Sequence, residues 1–166
     1  GHVFVGANVP FGMVQVGPTR IPQSWDWCSG YHATDSTVIG FSHTHLSGTG
    51  IGDLFDVTLM PVIGEVTYAR GVESDPTSGM WSYADRTKDV ARPGYYSVPF
   101  TRYGVTAEMT ATKRVGFHCY TFPASEEAAI VIDLQNGGCW DKTTEAYMKQ
   151  VSETRVEGYR FSRGWA

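Results

Sequence analysis

With 166 residues the chain has the size of one domain, enough to bury roughly 70% of its unfolded surface. Charged side chains make up 18% of it, the formal net charge is −4, and Lys and Arg are scattered without a basic run, so nucleic acid and anionic membrane surfaces are poor partners. Its 19 glycines and 13% aromatic content suit a compact, β-leaning domain, and no apolar stretch reaches the ~20 residues that span a bilayer.

Strand signals dominate in chain order. Residues 13–16 are short and alternating, and residues 17–37 read as a long irregular stretch forming one wall of a site. Residues 38–45 and 56–62 read as strands flanking a glycine-rich loop, with 63–68 a further extended run after Pro61. A polar segment, 71–93, carries the turn signals Asp75-Pro76 and Ser78-Gly79. Residues 95–100 lead into 105–112, where Val105, Ala107, Met109 and Ala111 alternate with Thr106, Glu108, Thr110 and Thr112, the pattern of a half-buried strand. Residues 114–122 alternate as well, with Val115, Phe117 and Cys119 on one face and His118, Tyr120 and Phe122 on the other. Residues 128–134 are apolar up to Asp133 and predict a central strand. Residues 145–151 suit a helix by propensity and a strand by alternation, and 156–161 look extended. The sum is an all-β chain, an antiparallel β-sandwich.

The densest chemistry lies in Gly40-Phe41-Ser42-His43-Thr44-His45-Leu46-Ser47-Gly48-Thr49-Gly50-Ile51-Gly52-Asp53. Two histidines one residue apart share a face if the backbone is extended. The three glycines behind them permit positive φ and let a ligand approach bare backbone. His43, His45, Ser47, Gly48, Thr49 and Asp53 therefore predict the wall of a polar pocket. A cupin-like metal site needs a further carboxylate and histidine, and the available Glu65 and His118 are poorly spaced for it. The bland reading is that both imidazoles satisfy backbone groups beside the loop.

A second cluster is Trp25-Asp26-Trp27-Cys28-Ser29-Gly30-Tyr31-His32. Indole faces carry the C–H-rich faces of sugars, while Asp26, Ser29, His32 and Asp35 supply donors and acceptors for hydroxyls. Either tryptophan serves equally well as a plug at the end of a sandwich. Carboxylate pairs for glycoside hydrolysis can be drawn from Asp35, Asp53, Asp56 and Glu65, but spacing selects none. Cys28, Cys119 and Cys139 lack CxxC spacing, which speaks against structural zinc and leaves open one disulfide with a free thiol or three free thiols. The chain starts at Gly1-His2-Val3-Phe4, as expected of a processed or excised piece.

Several runs taken together carry a resemblance: Val9-Pro10-Phe11-Gly12-Met13-Val14-Gln15, Cys28-Ser29-Gly30-Tyr31-His32, Asp35-Ser36, Gly40 to Asp53, Pro93-Gly94-Tyr95-Tyr96, Glu108 to Thr112 and Arg114-Val115-Gly116. In that order they resemble the N-terminal part of glycoside hydrolase family 92, the calcium-dependent α-mannosidases. The resemblance implies the N-terminal β-sandwich of a two-domain glycosidase, truncated at both ends. Its catalytic (α/α)6 helical domain, general acid, general base and most calcium ligands lie outside this chain. It implies an exo-acting, inverting parent enzyme, of α-1,2 type, that takes mannose from glycans and is exported to the periplasm or cell exterior. No catalytic or metal-binding residue is then expected here. The piece alone is expected to be inactive, and a non-catalytic carbohydrate-binding sandwich is the alternative. Trp27, then Trp25, is placed at the subsite for the leaving sugar, with Cys28, Tyr31, His32, Asp35, His43, His45, Ser47, Gly48, Thr49 and Asp53 lining or fixing the pocket. The sequence departs from the family pattern at Tyr83, where a histidine is common, and at Phe55, where an acidic residue is common.

Overall fold

A computed structural model describes residues 2–21, 28–48, 50, 52, 54–137 and 141–164. Its strands are β1 (Ala7–Asn8), β2 (Gln15–Thr19), β3 (Thr37–Val38), β4 (Gly40–Ser42), β5 (Thr58–Ile63), β6 (Ser82–Tyr83), β7 (Val90–Arg92), β8 (Tyr95–Pro99), β9 (Thr106–Ala111), β10 (Gly116–Thr121), β11 (Ala128–Asp133), β12 (Lys142–Ser152) and β13 (Arg155–Arg163). No helix occurs among the described residues. The strands pair antiparallel throughout. One sheet runs β1-β2-β4-β5-β11 and another β10-β9-β8-β7, with the pairs β12-β13 and β3-β6 beside them.

Alternation decides which residues fill the space between the sheets. Ala107, Met109 and Ala111 of β9 and Tyr96 and Val98 of β8 face Ala7, Val16, Phe41, Met60, Val62 and Val131 of the five-stranded sheet. Phe41 stacks on Phe100 with ring centroids 5.8 Å apart and planes 5° from parallel. Tyr96, fully buried, keeps its hydroxyl satisfied by donating to Asp89 at 3.1 Å, as a buried phenol requires.

Several strands differ from the sequence reading. The run 38–45 breaks at Ile39 into β3 and β4, with Gly40 at φ +141, where a Cβ would lie 2.5 Å from the Thr58 side chain. Strand β5 starts only at Thr58, because Leu54, Phe55 and Val57 all adopt positive φ. It ends at Ile63, where Gly64 turns the chain at φ +92, so 64–68 do not extend it. The run 128–134 is not central. As β11 it pairs, among the described strands, with β5 alone and leaves Ile130 49% exposed. Residues 145–151 are strand, within β12. The β12–β13 hairpin lays Tyr147, Met148, Val151, Val156, Tyr159 and Phe161 open to solvent.

Candidate functional site

Among the described residues the two signature segments meet where Gly30 lies over His45. Gly30, at φ +84, turns the Cys28-Ser29-Gly30 run so closely over His45 that a Cβ there would lie 3.2 Å from the imidazole Nε2 and 2.8 Å from the Pro18 carbonyl. Only glycine permits both the backbone conformation and that approach.

Strand β4 ends at Ser42, and the two histidines beyond it take different side-chain partners. His43 Nδ1 lies 2.6 Å from the Val57 carbonyl and its Nε2 3.0 Å from His118 Nε2. A carbonyl only accepts, so His43 carries its proton on Nδ1 and presents Nε2 as acceptor. His118 must then donate from Nε2, and its Nδ1 accepts from the Tyr120 hydroxyl at 2.9 Å. This directional chain joins the end of β4 to β10 across the sandwich. His45, buried, donates from Nδ1 to Gln15 O at 2.8 Å, and its Nε2 accepts from Ser42 Oγ at 3.1 Å. The Ser42 hydroxyl is itself hydrogen-bonded to Thr19 Oγ1.

Burial disfavours the charged imidazole in each case. It is the main reason that His45 is pushed down to about 4, opposed by the Gln15 carbonyl and helped by the neighbouring His43. His118 is likewise pushed down to about 4, by burial first and His43 second. His43 is lowered by burial against the pull of the Val57 carbonyl. All three are therefore neutral near pH 7. Phe55 packs its ring 5.0 Å from that of His45, so the departure at this position adds an apolar wall to the buried imidazole.

Thr44 closes the base of the loop. Its hydroxyl donates to Asp56 Oδ2 at 2.7 Å and accepts from the Asp56 amide at 2.9 Å, and its carbonyl accepts from Phe55 N at 3.0 Å. Ser47 Oγ accepts from Phe4 N at 3.0 Å. Gly48, at φ +79, has open space where a side chain would stand, so conformation and not crowding selects glycine.

Cys28 is buried, whereas Cys119 is exposed and carries a free thiol. The Tyr31 ring lies under two guanidiniums, Arg86 at 4.4 Å and Arg20 at 5.5 Å, and its hydroxyl accepts from Arg86. His32 and Asp35 shape the following turn: His32 Nδ1 pairs with Thr34 Oγ1 at 2.8 Å, and Asp35 Oδ1 accepts from Thr37 N and Oγ1 at 2.7 and 2.8 Å. Trp25, Asp26, Trp27, Thr49, Asp53 and Cys139 lie outside the described residues. Glu65 lines a separate open cleft of about 770 Å³ with Arg102 and Tyr103, and no histidine lines it. Among the described residues no group of three or more His, Cys, Asp and Glu is arranged to hold a metal ion.

Sequence reasoning missed Arg160. Its buried guanidinium reaches Asp56 from 104 residues away, a separation at which no local pattern signals contact. It also missed Thr44 as the closing residue, although a threonine between two histidines, 12 residues from an aspartate, was in view.

The pattern of the glycosyl hydrolase family 92 N-terminal domain matches residues 1–166, and the chain belongs to that family. Among solved structures it is similar to a family GH92 alpha-mannosidase from Bacteroides thetaiotaomicron, also solved with mannoimidazole. That likeness has 38% identity and a TM-score of 0.94, over 99% of this chain and 22% of the other. A family GH92 inverting mannosidase of the same species is 25% identical with a TM-score of 0.76, over 99% of this chain and 20% of that one. An uncharacterized secreted glycosidase of Arthroderma benhamiae is 32% identical over 127 residues, 74% of this chain and 16% of that protein. The chain thus spans about a fifth of the length of these relatives.

Proposed function

We propose that this chain forms the sandwich side of the substrate pocket in an exo-acting, inverting α-mannosidase, of α-1,2 type, that removes mannose from glycans. The observation that carries this reading is the seating of Gly30 on His45, which puts the Cys28–His32 turn beside the glycine loop in a chain whose family includes alpha-mannosidases. The described groups at this place suit binding and positioning. The three imidazoles are committed to carbonyl, hydroxyl and imidazole partners and stay neutral, so none is poised to protonate a glycosidic oxygen.

The acid–base pair, its carboxyls roughly 6.5–9.5 Å apart for inversion, then belongs to a helical (α/α)6 part of the parent protein. That part also supplies most ligands of a calcium ion. Trp27, then Trp25, faces the leaving sugar, while Thr49 and Asp53 complete the loop wall. The remainder of the parent covers the exposed apolar side chains of β12–β13, and the parent is exported, like the secreted relative. Apart from that remainder, this piece is inactive.

The test is mannose release from an α-mannoside by the full-length protein, with and without a chelator. Release that stops on chelation, and a Trp27→Ala variant at least about fivefold lower in kcat/KM, are expected, given the area an aromatic buries against a ligand. Retained sugar binding with no release under any condition would make the domain a carbohydrate-binding module instead.

A further inference from the structure

Arg160 lies on β13, an otherwise exposed strand, yet its side chain is only 1% exposed. Its Nε donates to Leu134 O at 3.0 Å and Thr143 Oγ1 at 2.9 Å, while one terminal nitrogen pairs with Asp56 Oδ1 and the other with Asp141 Oδ2. Removing a guanidinium from water is costly unless every branch is matched, and the planar fork then fixes two carboxylates at once. Arg70, paired with Asp133 at 3.3 Å, adds a second positive charge to this cluster.

Asp56 is the link to the signature loop. One oxygen meets Arg160, the other accepts from Thr44 in the middle of His43-Thr44-His45, and the Asp56 carbonyl accepts from His43 N at 3.0 Å. Its neighbours Phe55 and Val57 hold φ +61 and +53, and Leu54 holds +71. Such conformations cost on the order of 1–3 kcal/mol each for residues other than glycine and persist only where the surroundings enforce them. Local bonds to His43 and Thr44 hold these residues from one side, and Arg160, near the far end of the described chain, holds Asp56 from the other.

We propose that Arg160 is a positioning residue for the 43–57 loop, clamping it through Asp56 and Thr44 to the β12–β13 hairpin. A consequence for catalysis rests on the reading of that loop as a wall of the mannoside pocket. Loosening the clamp lets the wall drift, which weakens substrate binding without removing any group that touches the reacting bond.

The experiment uses the full-length protein and the variants Arg160→Met, Arg160→Lys and Asp56→Asn. It reads amide hydrogen exchange together with KM and kcat on an α-mannoside. In Arg160→Met, exchange of the His43, Phe55 and Asp56 amides rises about tenfold or more, while amides of β8 and β9 are unchanged. KM rises about tenfold and kcat stays within about threefold. A general loss of folded protein would lower apparent kcat and leave KM alone. Arg160→Lys, which keeps charge but not the fork, recovers only part of the effect. Should Arg160→Met fail to fold, Asp56→Asn leaves the guanidinium its Asp141 partner and must show the same loop exchange and KM change. Unchanged loop exchange in the folded variants overturns the clamp, and loosened exchange with unchanged KM overturns its link to the pocket. If the wild-type protein releases no mannose, the proposed function falls while the exchange measurement still decides the role of Arg160.

Discussion

Strand β9 and the 43–57 loop are held by opposite means. In β9, Ala107, Met109 and Ala111 are buried while Thr106, Glu108 and Thr110 point away from the core. Its stability comes from apolar area removed from water, roughly 25 cal/mol per Å². In the loop, polar groups close the structure: His43 and His45 donate to backbone carbonyls, Thr44 and Asp56 exchange hydrogen bonds, and Arg160 fixes Asp56. The backbone there is strained at Leu54, Phe55 and Val57. The frame tolerates exchange among similar apolar groups, whereas each atom of the loop clasp has a specific partner to lose.

The contrast can be broken first at the frame. Phe41→Ala, at a ring fully buried against Phe100, should cost about 3–5 kcal/mol in urea unfolding of the full-length protein. A cost below about 1 kcal/mol would mean that the two sheets do not depend on this packing. Acid should act on the clasp next. His45 and His118 take up protons only near pH 4 in the folded state, whereas in the unfolded chain they do so near the ordinary value of about 6.5. Between those limits the unfolded state binds more protons, so stability is full above about pH 6.5 and is lost as pH falls toward 4. From pH 7 to pH 5 the loss should be about 2 kcal/mol for each of these two imidazoles, and His118→Gln should remove its share of the slope. Equal slopes for wild type and variant would contradict the buried neutral state of His118. The smallest effect sharpens the contrast: Val57→Gly relieves a left-handed valine and should leave Tm unchanged or raised, while Val62→Gly, in the buried register of β5, should lower it clearly.

That division explains what was readable in advance. Alternation in β9 and β10 marks buried and exposed faces, because a strand with one buried face writes its period into the sequence. The same logic misled at 128–134, where an apolar run stands at a sheet edge, since periodicity cannot report how many neighbours a strand has. The histidine pair was visible as chemistry. Its divergent partners were not, because they depend on Gln15, Val57 and His118, which approach only in the folded sandwich. Arg160 on an otherwise exposed strand gave no local signal of the Asp56 it serves.

The central claim, that the turn at 28–32 and the loop at 43–57 wall a mannoside pocket, is tested most directly by the structure of the full-length protein with mannoimidazole, the ligand seen in the similar Bacteroides thetaiotaomicron enzyme. The account predicts the ligand seated against the 25–35 and 43–53 segments, with His43 and His45 still on their Val57 and Gln15 carbonyls. A ligand bound without touching either segment would contradict it.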